Sequence, residues 1–130
     1  VTHFAIRLVR DASDVDLAIT GTLPEGEKLH RKVILEPGLL KDGCQHVKLT
    51  GIFHSIQTGL LLTLYWHTIG AKDVLMMPLE GRGILDLTRF GGLENPRHEG
   101  SSGMVVLVAE RLSAGAKHFA LSLEFSKQRN

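Results

Sequence analysis

Apolar and polar residues alternate with a period of two along most of this chain, and the clearest centre of the pattern is residues 60–66. Leu60, Leu62, Leu64 and Trp66 share one parity, while Leu61, Thr63 and Tyr65 share the other. A strand sends successive side chains to opposite faces, so one face here is wholly apolar and the other mostly so. The stretch reads as an interior strand covered on both faces. It also holds the only Trp and the only Tyr, so the core is expected around it.

The same alternation predicts strands on either side. In residues 3–9, Phe4, Ile6 and Leu8 are expected to point inward. A polar turn at 11–14 precedes a half-buried strand carrying Val15, Leu17 and Ile19. Residues 29–36 read as a strand with Val33 and Leu35 inward, closed by Pro37 and Gly38. Residues 39–43 form a short connection. In residues 45–54, Val47, Leu49, Gly51 and Phe53 share one parity and Ile52 takes the other, and a glycine inside such a pattern signals a bulge or bend.

Residues 74–79 form a strand whose Pro78 places it near an edge, and the first strand is the other expected edge. Gly81, Arg82 and Gly83 read as a tight turn and residues 84–90 as the next strand. Residues 91–103 show neither period, which makes them the longest loop and the expected functional surface. Residues 104–109 are a strand buried on both sides, and residues 118–127 show the cleanest alternation of all. Nine or ten short strands with no sustained helical repeat give an all-β fold. The expected architecture is a single domain spanning 1–130, an antiparallel β-sandwich with jelly-roll or similar Greek-key topology.

Composition adds limits. With 130 residues, 43% hydrophobic and 22% charged, the chain is large and apolar enough to bury a core without staples. The net charge of +1, with mixed signs throughout, gives no basic face for nucleic acid. The densest basic spot, Lys28, His30, Arg31 and Lys32, reads as a solvated strand edge. The single cysteine, Cys44, allows no internal disulfide and reads as a small buried hydrophobe. No apolar run is long enough to cross a bilayer as a helix, and no signal-peptide pattern opens the sequence.

Candidate chemistry is sparse. Seven histidines suggest a metal, but a cupin-like site needs two His one residue apart on a strand, and no such pair exists. Asp11, Asp14 and Asp16 offer oxygens to calcium without the glycine and further carboxylate of a calcium loop. Ser101 and Ser102 lack a nucleophile-elbow pattern, and Glu80 and Asp86 lack the sugar-stacking rings that accompany glycosidase acids. No cofactor and no catalytic residue are therefore expected. One polar cluster stands out on the long loop: Glu94, Asn95, Arg97, His98 and Glu99, which we read as partner-contact candidates.

The stretch Leu79-Glu-Gly-Arg-Gly-Ile-Leu-Asp-Leu-Thr-Arg-Phe-Gly-Gly-Leu-Glu-Asn-Pro, then Gly100-Ser-Ser-Gly and the alternating last strand, resembles small β-sandwich virion proteins of tailed bacteriophages, the decoration or cement proteins of capsids. The likeness covers about the last two-fifths of the chain, and no functional residues carry over from it. It implies a non-enzymatic sandwich that is homo-oligomeric or bound to a shell lattice. The partner would be the major capsid protein or another virion protein, and the location the virion after synthesis in the host cytoplasm. Two other functions fit the pattern: a small-ligand or carbohydrate-binding sandwich, and a jelly-roll metalloenzyme with dispersed ligands.

Overall fold

The computed structural model describes residues 3–41, 43–95 and 100–128. In chain order the strands are β1 (His3–Asp11), β2 (Asp14–Leu23), β3 (Leu29–Leu35), β4 (His46–Ile56), β5 (Leu60–Thr68), β6 (Val74–Leu79), β7 (Arg82–Asp86), β8 (Leu93–Glu94), β9 (Ser101–Arg111) and β10 (Lys117–Gln128). They form two antiparallel sheets. One runs β1-β2-β10-β4-β7, with β8 also on β4, and the other runs β3-β9-β5-β6. The all-β sandwich expected from the alternation is what the chain adopts.

The topology is that of a long hairpin rolled on itself. β2 pairs with β10, β3 with β9, β4 with β7 and β5 with β6, so the outermost partners in sequence are neighbours in space. Two four-stranded layers, β2-β10-β4-β7 and β3-β9-β5-β6, make the jelly roll. β1 and β8 are additions to the first layer.

The core lies between the layers. From β5 come Leu60, Leu62, Leu64 and Trp66, and beside them Ala109, Leu107 and Val105 of β9 stand opposite Leu62, Leu64 and Trp66 in register. The facing layer contributes Val15, Leu17 and Ile19 from β2 and Phe119, Leu121, Leu123 and Phe125 from β10. Trp66 is only 1% exposed. The far side of β5 is covered too: Thr63 is buried, and Leu61 and Tyr65 are half-buried. On that outer side Val106 of β9 is fully buried outside the main core, flanked in register by Tyr65 and Val33.

Bulges account for most departures from simple alternation. In β4 the pairing shifts between Phe125–Leu49 and Glu124–Gly51, leaving Thr50 as the extra residue. The parity flips there, so Val47 and Leu49 point inward before the bulge and Ile52, His54 and Ile56 after it. Phe53 is thereby turned out to solvent, contrary to the parity it shares with Leu49. In β3 the shift falls between Val33 and Leu35, which buries Ile34 and Leu35 and puts Val33 on the outer face. In β1 a shift after Leu8 sits on an edge strand and leaves Leu8 half exposed rather than inward.

Two further expectations are corrected by local turns. Gly81 takes a positive φ of 65°, but Arg82 and Gly83 already belong to β7. That strand stops at Asp86, because Asp86 Oδ1 accepts the Thr88 N–H at 3.0 Å and its hydroxyl as well, bending the chain into a 3₁₀ turn at Thr88–Phe90. The loop expected at 91–103 is shorter than its glycines suggest. It contains β8, and residues 101–103 extend β9.

One rung shows how a glycine supports packing. Phe4, Gly21 and Phe119 stand side by side on β1, β2 and β10. The two rings meet edge to face, centroids 5.1 Å apart, over the missing side chain, and a Cβ on Gly21 would lie 2.5 Å from Phe119. Gly21→Val is expected to push the rings apart and cost about 1–3 kcal/mol by urea denaturation, while Ser122→Ala on the exposed face of β10 changes little.

Candidate functional site

Of the expected partner-contact cluster, Glu94 and Asn95 are described, and they fall where the chain leaves the larger sheet ahead of β9. Leu93 and Glu94 pair with Leu49 and Lys48 of β4. Ser101 has already joined the other sheet opposite Thr68 of β5. Glu94 is exposed. Asn95 is buried, and its side-chain N–H donates to Ser101 Oγ at 2.7 Å, tying the two ends of the crossing together. Arg97, His98 and Glu99 lie outside the described residues.

Glycines let this crossing lie close to the body. Gly103 has a φ of 79°, and a Cβ there would sit 2.3 Å from the carbonyl oxygen of Gln45, so no other residue fits without moving backbone. The Ile69 N–H donates to the Gly100 carbonyl at 2.7 Å, closing the crossing over the end of β5.

Beside this crossing, His67, Ser102, Asp73 and Arg31 form a polar group that sequence reading did not assemble. Ser102 Oγ lies 2.7 Å from His67 Nδ1, 3.3 Å from the His67 carbonyl and 3.2 Å from the Met104 N–H. One proton assignment satisfies all three: the hydroxyl donates to the carbonyl and accepts from Nδ1–H and from the Met104 amide. The oxygen is then saturated and is not an activated nucleophile. The serine also occupies Nδ1, the nitrogen that the acid of a Ser-His-Asp triad would hold.

Asp73 is bound elsewhere. Its carboxylate accepts the Thr68 N–H at 3.1 Å and the Arg31 guanidinium at 2.9 Å. Burial opposes its charge, but the bonds from Arg31 and Thr68, with the nearby Arg31 charge, hold its pKa below the ordinary carboxylate value. Arg31 lies exposed on edge strand β3, as the reading of a solvated basic edge expects, and it also pairs with Asp73.

The other candidates also resolve into local partners. Asp11 accepts the Lys41 N–H at 2.6 Å and pairs with Lys127 at 2.6 Å, whose ammonium also reaches the Lys41 carbonyl. Asp14 and Asp16 both face Arg10, at 3.6 and 3.0 Å. Each of the three aspartates that suggested calcium thus faces a cation of the chain itself, Asp14 and Asp16 sharing Arg10. His30 pairs with Glu27 at 3.1 Å, His118 with Thr22 at 2.9 Å, and buried His54 sets Nδ1 3.1 Å from the Gly81 carbonyl. A Cβ on Gly83 would lie 2.8 Å from His54 Nε2, so the glycine makes room for that ring. Among the described residues, no group of three or more His, Cys, Asp or Glu is placed to hold a metal.

A shallow groove of about 610 Å³ crosses the outer face of the larger sheet. Val9, Phe53 and Ile84 give it apolar side chains, and Asp16, Asp86 and Glu124 give it carboxylates. Its floor is low because Gly51 stands between Asp86 and Glu124 on one rung. Sequence periodicity could not assemble this groove, because the Thr50 bulge is what turns Phe53 outward.

Compared with known protein families and with curated proteins, the chain matches none.

Two outcomes test the polar group. Ser102→Ala is expected to cost about 1 kcal/mol and to release the fixed His67 tautomer, read from ring ¹⁵N shifts by NMR. Asp73 has a depressed folded-state pKa, so its contribution is present above about pH 4 and is lost as pH falls through the folded value. Asp73→Asn should therefore be less stable than wild type at neutral pH, and the difference should shrink in acid, as followed by urea midpoints.

Proposed function

We propose that this chain is a non-enzymatic structural protein that binds a repeating protein lattice, and that the lattice is a bacteriophage capsid. The observation that carries the binding role is the apolar wall of the open groove, where Phe53 and Ile84 stand exposed side by side on neighbouring strands. Exposed apolar groups gathered on a rigid sheet face are what protein interfaces use. The jelly roll supports the reading without deciding it, since that fold serves capsid and lectin domains alike. The capsid rests on the resemblance of the segment from Leu79 onward to decoration proteins. Repetition around a symmetric shell would let a small contact bind firmly.

A second reading draws on the same groove. Phe53 lies in one concavity with Asp16, Asp86 and Glu124, a ring and carboxylates of the kind that hold a sugar. Glycan-array binding at micromolar affinity would favour it over lattice attachment.

The test mixes purified protein with undecorated shells and measures co-sedimentation. The wild-type chain is expected in the pellet, and Glu94→Ala, an exposed change beside the crossing, should reduce the bound fraction while shifting stability by under about 0.5 kcal/mol. A wild-type chain that stays in the supernatant overturns the capsid reading.

A further inference from the structure

Apart from the two-residue β8, the described sandwich has four edge strands, β1, β3, β6 and β7, and three of them are irregular. β1 carries the bulge after Leu8, β3 the bulge at Ile34, and β6 both a register shift beside Tyr65 and Pro78. Such features discourage pairing with another chain. β7 has neither. Its residues pair one for one with β4, Arg82 with Ser55 through Asp86 with Gly51, and it contains no proline.

The direction of its free backbone groups follows from the bonds that flank it. The Leu87 N–H donates to the Thr50 carbonyl at 2.9 Å, and the Gly81 carbonyl accepts from the Ile56 N–H at 2.8 Å. Odd-numbered residues therefore turn their backbone groups toward β4. Arg82, Ile84 and Asp86 turn theirs away from the sheet. Ile84 is 77% exposed, and Phe53 beside it on the same face is 43% exposed.

We propose that β7 is a docking edge for a second copy of this chain, with the two β7 strands antiparallel about a two-fold axis at Ile84. The argument for a second copy is self-complementary charge. An isologous contact must match residue i to j and j to i. Centring on Ile84 sets Arg82 of each copy opposite Asp86 of the other, at equal offsets on either side of the axis. A parallel arrangement would set like charges together. The outward backbone groups of Arg82, Ile84 and Asp86 meet in the same register, forming about six main-chain hydrogen bonds. On the outer face the order across the junction becomes Phe53, Ile84, then Ile84 and Phe53 of the second copy, a continuous apolar row. Charges on an edge ordinarily deter pairing, and here their placement selects one partner and one register instead.

This interface uses Ile84 and Phe53, the same apolar groups that carry the lattice reading, so it is tested on the free protein without shells, where its failure is separate from the failure of lattice attachment. Sedimentation velocity from about 1 µM to about 1 mM should show a reversible dimer. Arg82→Asp and Asp86→Arg are each expected to weaken self-association about tenfold, because each sets like charges opposite at both ends of the pair. An equimolar mixture of the two variants should recover dimers, since every charge again faces its opposite. Ile84→Lys should be monomeric. Circular dichroism confirms that each variant is folded. If Asp86→Arg disturbs the turn that Asp86 holds at Thr88, the comparison of Arg82→Asp and Ile84→Lys with wild type decides the matter. A wild-type chain that is monomeric throughout, a dimer that Ile84→Lys leaves intact, or a mixture of folded charge variants that associates no better than either alone overturns the proposal.

Discussion

The packing of the β5–β9 pair against β10 and β2 is the constraint on which the remaining structure depends. Leu62 with Ala109, Leu64 with Leu107 and Trp66 with Val105 form an unbroken apolar ladder on the inner face of one sheet. Phe119, Leu121, Leu123 and Phe125 do the same on the other. Because side chains alternate with period two, a slip of one residue in any of these strands would carry the whole ladder to the outside. Register is therefore fixed at the centre. Flanking strands must adapt to it, and they do so with bulges rather than by displacing the core.

Those adaptations give the surface its character. The Thr50 bulge keeps both halves of β4 buried although their parities disagree, and the cost is an exposed Phe53. That ring, the neighbouring Ile84 and the gap over Gly51 make the groove. A device that serves core packing on one face thus creates an apolar concavity on the other. At the edges, the shifts in β1, β3 and β6 break the regular spacing that a further strand would need, while β7 retains it.

Polar groups in this fold mostly secure crossings and strand ends. Lys127 joins Asp11 and the Lys41 carbonyl where β1, β10 and the chain before β4 converge. Asp73 holds the end of β5 and reaches Arg31 of β3, strands on either side of β9. Ser102 pins the His67 ring, and Asn95 bridges to Ser101 across the passage between sheets. Each side chain is committed to a neighbour in the chain. What the exterior offers a partner is accordingly apolar area and open strand edge, together with exposed charges such as Glu94 and Arg82.

Alternation alone determined the all-β class, the central place of Leu60–Thr68, the two-sided burial of β9, the inward face of β10 and the edge position of β1 and β6. These depend on a local period that one strand carries by itself. Tertiary structure decided what depends on neighbours: the pairing of first with last strand in the jelly roll, the outward turn of Phe53, and the inward turn of Ile34 in place of Val33. The end of β7 is local by contrast, since the Asp86 side chain captures the Thr88 amide two residues on, a turn that strand alternation overlooks. The candidate site divides the same way. Glu94 and Asn95 were legible as polar residues beside a glycine-rich crossing, but the burial of Asn95 and the union of His67 with Ser102 were not. Partners separated by 35 positions leave no periodic trace in a sequence, since only the register between β5 and β9 brings them together.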